Sequence, residues 1–178
     1  MLKKLLIIII STFIFPSVLM ANYPNTSIGV IDLNKILSEA DAAIAAAEQI
    51  EEIAIEIENE IRLSDEEIIK EQNLLIESQA IMAPEAFEAK KNDYESKVQK
   101  YNNERQTKLM KIDELIAVSR NDILVAIKPI LEEITNEKGI TIILEKTSIM
   151  LSAEKMDITN EVLKKLNKSL PTIEVSRD

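Results

Sequence analysis

Cysteine, histidine and tryptophan are missing from this chain of 178 residues, and glycine occurs only twice, at Gly29 and Gly139. Without cysteine there is no disulfide and no thiol chemistry, which fits an oxidising compartment whose chemistry the chain leaves unused. Without histidine or cysteine only oxygen ligands remain, so no zinc site and no Ser-His or Cys-His nucleophile is expected. Aromatic residues are 3% of the total, too little material for a thick globular core. Two glycines allow few tight turns, so the elements should be long and joined rarely. What is abundant is Ala, Glu, Lys, Leu and Ile, the composition of long helices.

Charge is one-sided. There are 21 basic and 31 acidic residues, a formal net of −10. Residues 1–21 hold Lys3 and Lys4 and no acid, so the rest of the chain has 19 basic and 31 acidic residues, a net of −12. That excludes non-specific binding of nucleic acid and gives no attraction to an anionic membrane surface. Residues 1–21 have the layout of a secretory signal peptide: a basic start at Lys3 and Lys4, an apolar run over 5–15, Pro16, and a cut after Ala21. An uncleaved anchor is the other reading, but a span needs roughly 20 apolar residues and Pro16 interrupts this one. Leu19 is not ideal three residues before the cut. Export would place the chain in the periplasm, away from cytosolic ATP.

Beyond a loose lead-in over 22–27, Ile28, Gly29, Val30, Ile31, Asp32 and Leu33 form a β-prone run. Ser38, three residues before Asp41, reads as a capping-box helix start. A heptad stripe follows: Ala40, Ala43, Ala47, Ile50, Ala54, Ile57, Ile61, Ser64, Ile68, Glu71 and Leu75. Ser64 and Glu71 are its polar interruptions. The pattern halts between Ser78 and Pro84, and Pro84 suits the first turn of a new helix. The second stripe runs Phe87, Lys91, Tyr94, Val98, Tyr101, Arg105, then Leu109, Ile112, Ile116, Ser119, Ile123, Ala126 and Ile130, with a register shift near 105–109. Pro129 should kink or locally break it, and Lys138 followed by Gly139 is a helix stop.

The spacing predicts helices of roughly 45 and 53 residues, each on the order of 70–80 Å long at about 1.5 Å per residue. Near-equal lengths joined by a short break imply an antiparallel coiled-coil hairpin. Residues 140–145 read as a second strand, Lys146 and Thr147 as a turn, and 148–152 as a third short strand containing Met150. Asp157 or Thr159 can cap a last helix with Val162, Leu163 and Leu166 on one face, and 171–178 reads as a frayed tail.

The expected organisation is a signal peptide over 1–21, a β-rich body over 22–37 and 137–178, and a hairpin arm over 38–136. The fold class is mostly α with a small β body, the long antiparallel hairpin projecting from a short-stranded oligomerisation sheet. Three strands this short have no independent stability. Ile28, Val30, Ile142, Leu144 and Met150 are therefore expected to bury against other copies of the chain. Several copies joined at their sheets would project several arms around a shared space.

The chain resembles the Skp/OmpH-like family of periplasmic chaperones. The resemblance is carried by the exported leader, by Ile28 to Asp32 leading into Leu33, Asn34, Lys35, Ile36 and Leu37, and by the helical arm. It continues with Lys128, Pro129 and Ile130 before Glu137, Lys138, Gly139 and Ile140. Its most specific part is Asp157, Ile158, Thr159, Asn160, Glu161 and Val162 before a terminal helix. It implies a trimer with a small β body and three helical tentacles, acting as an ATP-independent holdase for outer-membrane β-barrel precursors. It also implies a basic arm surface suited to acidic clients or lipopolysaccharide. This chain is acidic, so neither electrostatic capture of acidic clients nor lipopolysaccharide binding is carried over.

Unfolded β-barrel proteins expose alternating apolar residues and unpaired edges, which template aggregation. Weak contacts summed over several arms would hold them reversibly. Ile81, Met82 and Phe87 at the arm tip are the candidate client contacts; their alternative role is to staple the tip. The polar interruptions Ser64, Glu71, Lys91 and Arg105 are expected to loosen the middle of the arm, and the acidic face is expected to be a solvated surface. No cofactor is called for. Adjacent carboxylates such as Glu51 and Glu52 lack the pocket that acid–base catalysis requires, so no enzyme is expected. Two rival readings are a coiled-coil adaptor or spacer of the envelope, and a prefoldin-like arm chaperone, which the leader disfavours.

Overall fold

The computed structural model describes residues 26–177, and the expected signal peptide lies outside them. The described residues begin with strand β1 (Ile28–Ile31), helix α1 (Leu33–Glu39) and helix α2 (Asp41–Ser78). Helix α3 (Pro84–Lys138), strand β2 (Ile142–Glu145) and helix α4 (Thr159–Ser169) follow. The two strands pair in parallel, Ile28 beside Ile142 and Val30 beside Leu144. Parallel neighbours need a crossover; here the crossover is the whole helical arm. The mostly helical class with a small sheet and a long hairpin agrees with the sequence reading.

Local chemistry explains most element ends. Asp32 closes β1 and caps α1, its Oδ1 accepting from Lys35 N–H at 3.0 Å. The expected capping box at Ser38 does not form: the Ser38 hydroxyl donates to Lys35 O inside α1. The start of α2 is capped from another element, by Asn167 Oδ1 accepting from Asp41 N–H at 3.1 Å. Ala40 sits between the two helices in extended conformation (ψ 138) and is buried. Pro84 opens α3, and Gly139 closes it at φ 65, a left-handed position that glycine occupies without penalty.

Pro129 does not break α3, contrary to expectation. A proline removes the hydrogen bond to the carbonyl four residues back, here that of Val125. Pro129 and Val125 both lie on the exposed side of α3, where an unpaired carbonyl costs less than it would in the core. The third strand expected over 148–152 is also absent. Residues 146–148 form a 3-10 turn, and only Asp157 bridges to β1, at Val30, with Ile158 N–H donating to Val30 O at 2.9 Å.

The core sits at one end of the molecule. Ile31, Ile36, Ala40 and Ala42 meet Ile123, Ile127, Ile130 and Ile134 of α3 and Ile158, Val162 and Leu166 around α4. Burying each large aliphatic side chain contributes about 1.5–3 kcal/mol. This corrects the expectation that the strands lack a cover of their own. α1, α4 and the base of α3 provide one, and Val30, expected to bury against another copy, is already buried at 1% exposure within one chain.

Candidate interaction surface

The Asp157, Ile158 and Thr159 triplet forms the joint of the body. Asp157 Oδ1 accepts from Thr159 N–H at 2.9 Å, buried Ile158 sits in the core, and Thr159 Oγ1 accepts from Asp32 N–H at 2.9 Å. The triplet thereby ties the end of β1 to the start of α4. Lys146 Nζ lies 3.5 Å from Asp32 and 3.7 Å from Asp157. Partial burial pushes the Asp157 carboxyl up, but the bonds from Thr159 and the Lys146 charge outweigh it and hold it below the usual carboxylate value. The arrangement is an interlock that exposes no reactive group to a cavity.

Beyond the body, α2 and α3 run antiparallel. Ile57, Ile61 and Leu75 of α2 and Leu115 and Ser119 of α3 are buried along the seam. The register shift expected near 105–109 is absent. The seam passes through Lys108, Ile112 and Leu115, which continues the heptad spacing from Tyr101, while Leu109 and Ile116 are exposed. Near the base the buried positions of α2 are Ala42 and Ala46 rather than Ala47.

Mid-arm, polar pairs accompany the buried Ile61 and Leu75. Lys97 Nζ contacts Glu71 at 3.0 Å, and Lys108 Nζ contacts Glu60 at 2.9 Å. The Tyr101 hydroxyl bonds the Asp65 carboxylate. The Glu71 bond and the nearby Asp93 raise the Lys97 ammonium above its usual value, and burial followed by the Asp65 bond raises the Tyr101 hydroxyl. Of the expected interruptions, Ser64 bonds back to Glu60 O, Glu71 joins the cross-helix pairs, Lys91 lies 3.8 Å from Glu88 on its own helix, and Arg105 is exposed.

The two flanks of the hairpin differ. One carries an open apolar groove. Its base section, about 480 Å³, is lined by Leu37, Ala47, Ile50, Ala54 and Ile116, and a second, more polar section of about 490 Å³ continues past Ala54 to Leu109 and Ile112, edged by Glu58, Arg62, Asp65 and Arg105. Several residues assigned to the intramolecular stripe thus line this groove. The opposite flank is covered near its base by the C-terminal tail. The expectation of a frayed tail is overturned: Gln49 bonds the backbone at Ile173 and Val175, and Arg177 makes paired contacts to Glu60 at 2.7 and 2.9 Å. Sequence reasoning missed Gln49, Glu60 and Arg177. The available signals were a glutamine in a glutamate-rich run and the alternation of Ile173, Val175 and Arg177.

The three tip residues lie together. Ile81 is 85% exposed in the turn, while Met82 and Phe87 are half-buried. On the body, Ile28 and Leu144 are half-buried, Ile142 is 45% exposed, and Met150 and Leu151 stand fully in solvent. Charge is segregated as well. α2 carries twelve carboxylates against Arg62 and Lys70, whereas α3 carries eleven against ten bases. Among the described residues no group of acids is arranged to hold a metal ion, and no helix is long and apolar enough to cross a membrane.

The family described as "Outer membrane protein (OmpH-like)" matches residues 27–166. The chain belongs to the OmpH-like family. That match spans β1, the whole arm, β2 and most of α4. A crystal structure of an OmpH-like candidate outer-membrane chaperone from Caulobacter crescentus CB15 superposes with a TM-score of 0.77, covering 88% of this chain and 92% of that one. At 13% identity the likeness concerns the fold. No curated protein matches the chain. OmpH-like proteins are not a family of enzymes.

Proposed function

We propose that this OmpH-like chain is an ATP-independent holdase of the periplasm, exported by the leader over 1–21, that encloses unfolded outer-membrane β-barrel proteins and keeps them from aggregating. The observation that carries this reading is a long arm with large apolar side chains left in solvent. Ile55, Leu63, Ile69 and Ile76 of α2 and Val118 and Val125 of α3 are each at least half exposed. The contiguous part of the apolar surface is the groove lined by Leu37, Ala47, Ile50, Ala54 and Ile116, and a contiguous apolar patch marks an interaction surface. The exposed side chains, spread thinly along a rod, make many weak contacts, which release a client without nucleotide. Ile81 at the tip is the most available of the three tip candidates, with Met82 and Phe87 shaping the turn beneath it.

The body, residues 22–37 and 137–178, is the assembly region. Ile142, Met150 and Leu151 form its apolar face toward other copies, with Ile28 and Leu144 beside them, and a trimer is the form the family resemblance implies. The acidity of α2 speaks against nucleic acid as a partner and disfavours lipopolysaccharide. The test is aggregation of two unrelated urea-unfolded barrel proteins diluted into buffer with the mature chain. Suppression of both, together with a multiple of the monomer mass in solution, is expected. Binding of one folded partner in fixed ratio, without suppression, would instead support an envelope adaptor. Deleting residues 80–86 should weaken suppression; unchanged protection would remove the tip from the client surface.

A further inference from the structure

The segment matched to the family ends at residue 166, and the tail lies beyond it. Residues 172–177 run along the base of α2 with strict alternation. Ile173, Val175 and Arg177 are half-buried, and Thr172, Glu174 and Ser176 face solvent. Ile173 packs against the body core. The seat reads backbone as much as side chain. The Gln49 amide donates to Ile173 O at 2.8 Å and accepts from Val175 N–H at 3.0 Å. That donor–acceptor pair is what an adjacent strand offers to alternate residues. Charge fixes one end: the Arg177 guanidinium takes both oxygens of Glu60, which Lys108 also contacts at 2.9 Å. Beside Arg177 lies a hollow of about 330 Å³ lined by Ile57, Met110 and Lys111.

We propose that this flank of the arm is a docking site for extended chain segments of alternating apolar and polar residues, and that the C-terminal tail is its built-in, displaceable occupant. The inference rests on the holdase reading for its partner: strands of an unfolded β-barrel alternate apolar and polar residues in this way. A side-chain amide that pairs with main chain accepts many sequences, which a holdase requires. A tethered tail acts at an effective concentration in the millimolar range, so it screens the site from weak segments and yields to long clients that make further contacts along the arm.

The experiment uses a fluorescent peptide with the sequence of residues 170–178, the mature full-length chain, and a chain ending at Leu170. Anisotropy should show the tail-less chain binding the peptide about tenfold more tightly than the full-length chain, and urea-unfolded barrel protein should displace the peptide. Gln49→Leu in the tail-less chain should abolish that gain. Full-length Arg177→Glu, which loosens the tail without removing it, should bind the peptide with intermediate affinity and provides the readout if truncation lowers the helical circular dichroism signal. Equal peptide affinity with and without a fastened tail, or peptide binding that unfolded barrel protein cannot displace, overturns the proposal. Aggregation suppression measured on the same samples separates the two readings. If both chains suppress aggregation but displacement fails, only the docking site falls; if neither suppresses, the holdase reading itself falls.

Discussion

Between Ile123 and Ile134, α3 buries an aliphatic side chain at every turn; between Phe87 and Lys111 the same helix buries none. At the base the partners are Ile31, Ile36, Val162 and Leu166, all buried. Further out they are Glu71, Asp65 and Glu60 of α2, reached by Lys97, Tyr101 and Lys108. One continuous helix therefore belongs to two regimes. Dry packing fixes position because a displaced aliphatic group leaves a void. Exposed ion pairs tolerate sliding, since each is worth little and water replaces it readily. The difference teaches that the body fixes geometry through close packing from every side, whereas the outer arm combines a few buried α2 side chains, such as Ile61 and Leu75, with polar pairs from α3. An arm of that kind can bend while its root stays fixed.

The sharpest way to break this comparison is to excavate both regions. Ile134→Ala, at a site with no exposure, should cost about 2–5 kcal/mol in urea unfolding. Val98→Ala in the outer arm should cost under about 1 kcal/mol. Equal losses would erase the distinction. Next comes the polar joint of the body. Thr159→Val keeps the shape but leaves the Asp32 N–H without its acceptor, and should cost about 1–3 kcal/mol; a neutral result would mean that the joint is relaxed rather than locked. Hydrogen exchange offers a third comparison. Amides over 64–72 and 92–104 should exchange faster than those over 123–134, and a uniform rate along α3 would contradict the two regimes.

The smallest effect concerns pH. Arg177, then Lys108, lower the Glu60 carboxyl from its usual 4.5 to about 2. A depressed folded value gives stabilisation that is fully present above the unfolded value, 4.5, and lost as pH falls toward 2. The amide signal of Val175 should therefore shift toward that of a free tail between pH 4.5 and 2. Glu60→Gln should remove most of this pH dependence.

How much of this was legible follows from where each instruction lies. Pro84 and Gly139 act on their own backbone, so both helix ends could be read directly. The apolar stripes gave the hairpin but misplaced its seam. Counting apolarity selected Leu109 and Ile116, whereas unbroken spacing selects Lys108 and Leu115; a lysine stem serves in a seam whose ammonium reaches Glu60. α1 was hidden because Ser38 and Asp41 imitate a helix start, and the true cap, Asn167, comes from far along the chain. The covered state of Val30 and the seated tail depend on contacts across more than a hundred residues, for which no local pattern exists.

The parallel pairing of β1 with β2 also dictates an order of events. Residues 32–141 separate the two strands, so β1 has no mate until the whole arm has been made. Closing so long a loop is slow, whereas neighbouring helices zip quickly through local contacts. The rod is thus assembled before its socket, and the folding chain passes through a stage in which β1 is an orphan strand waiting for β2.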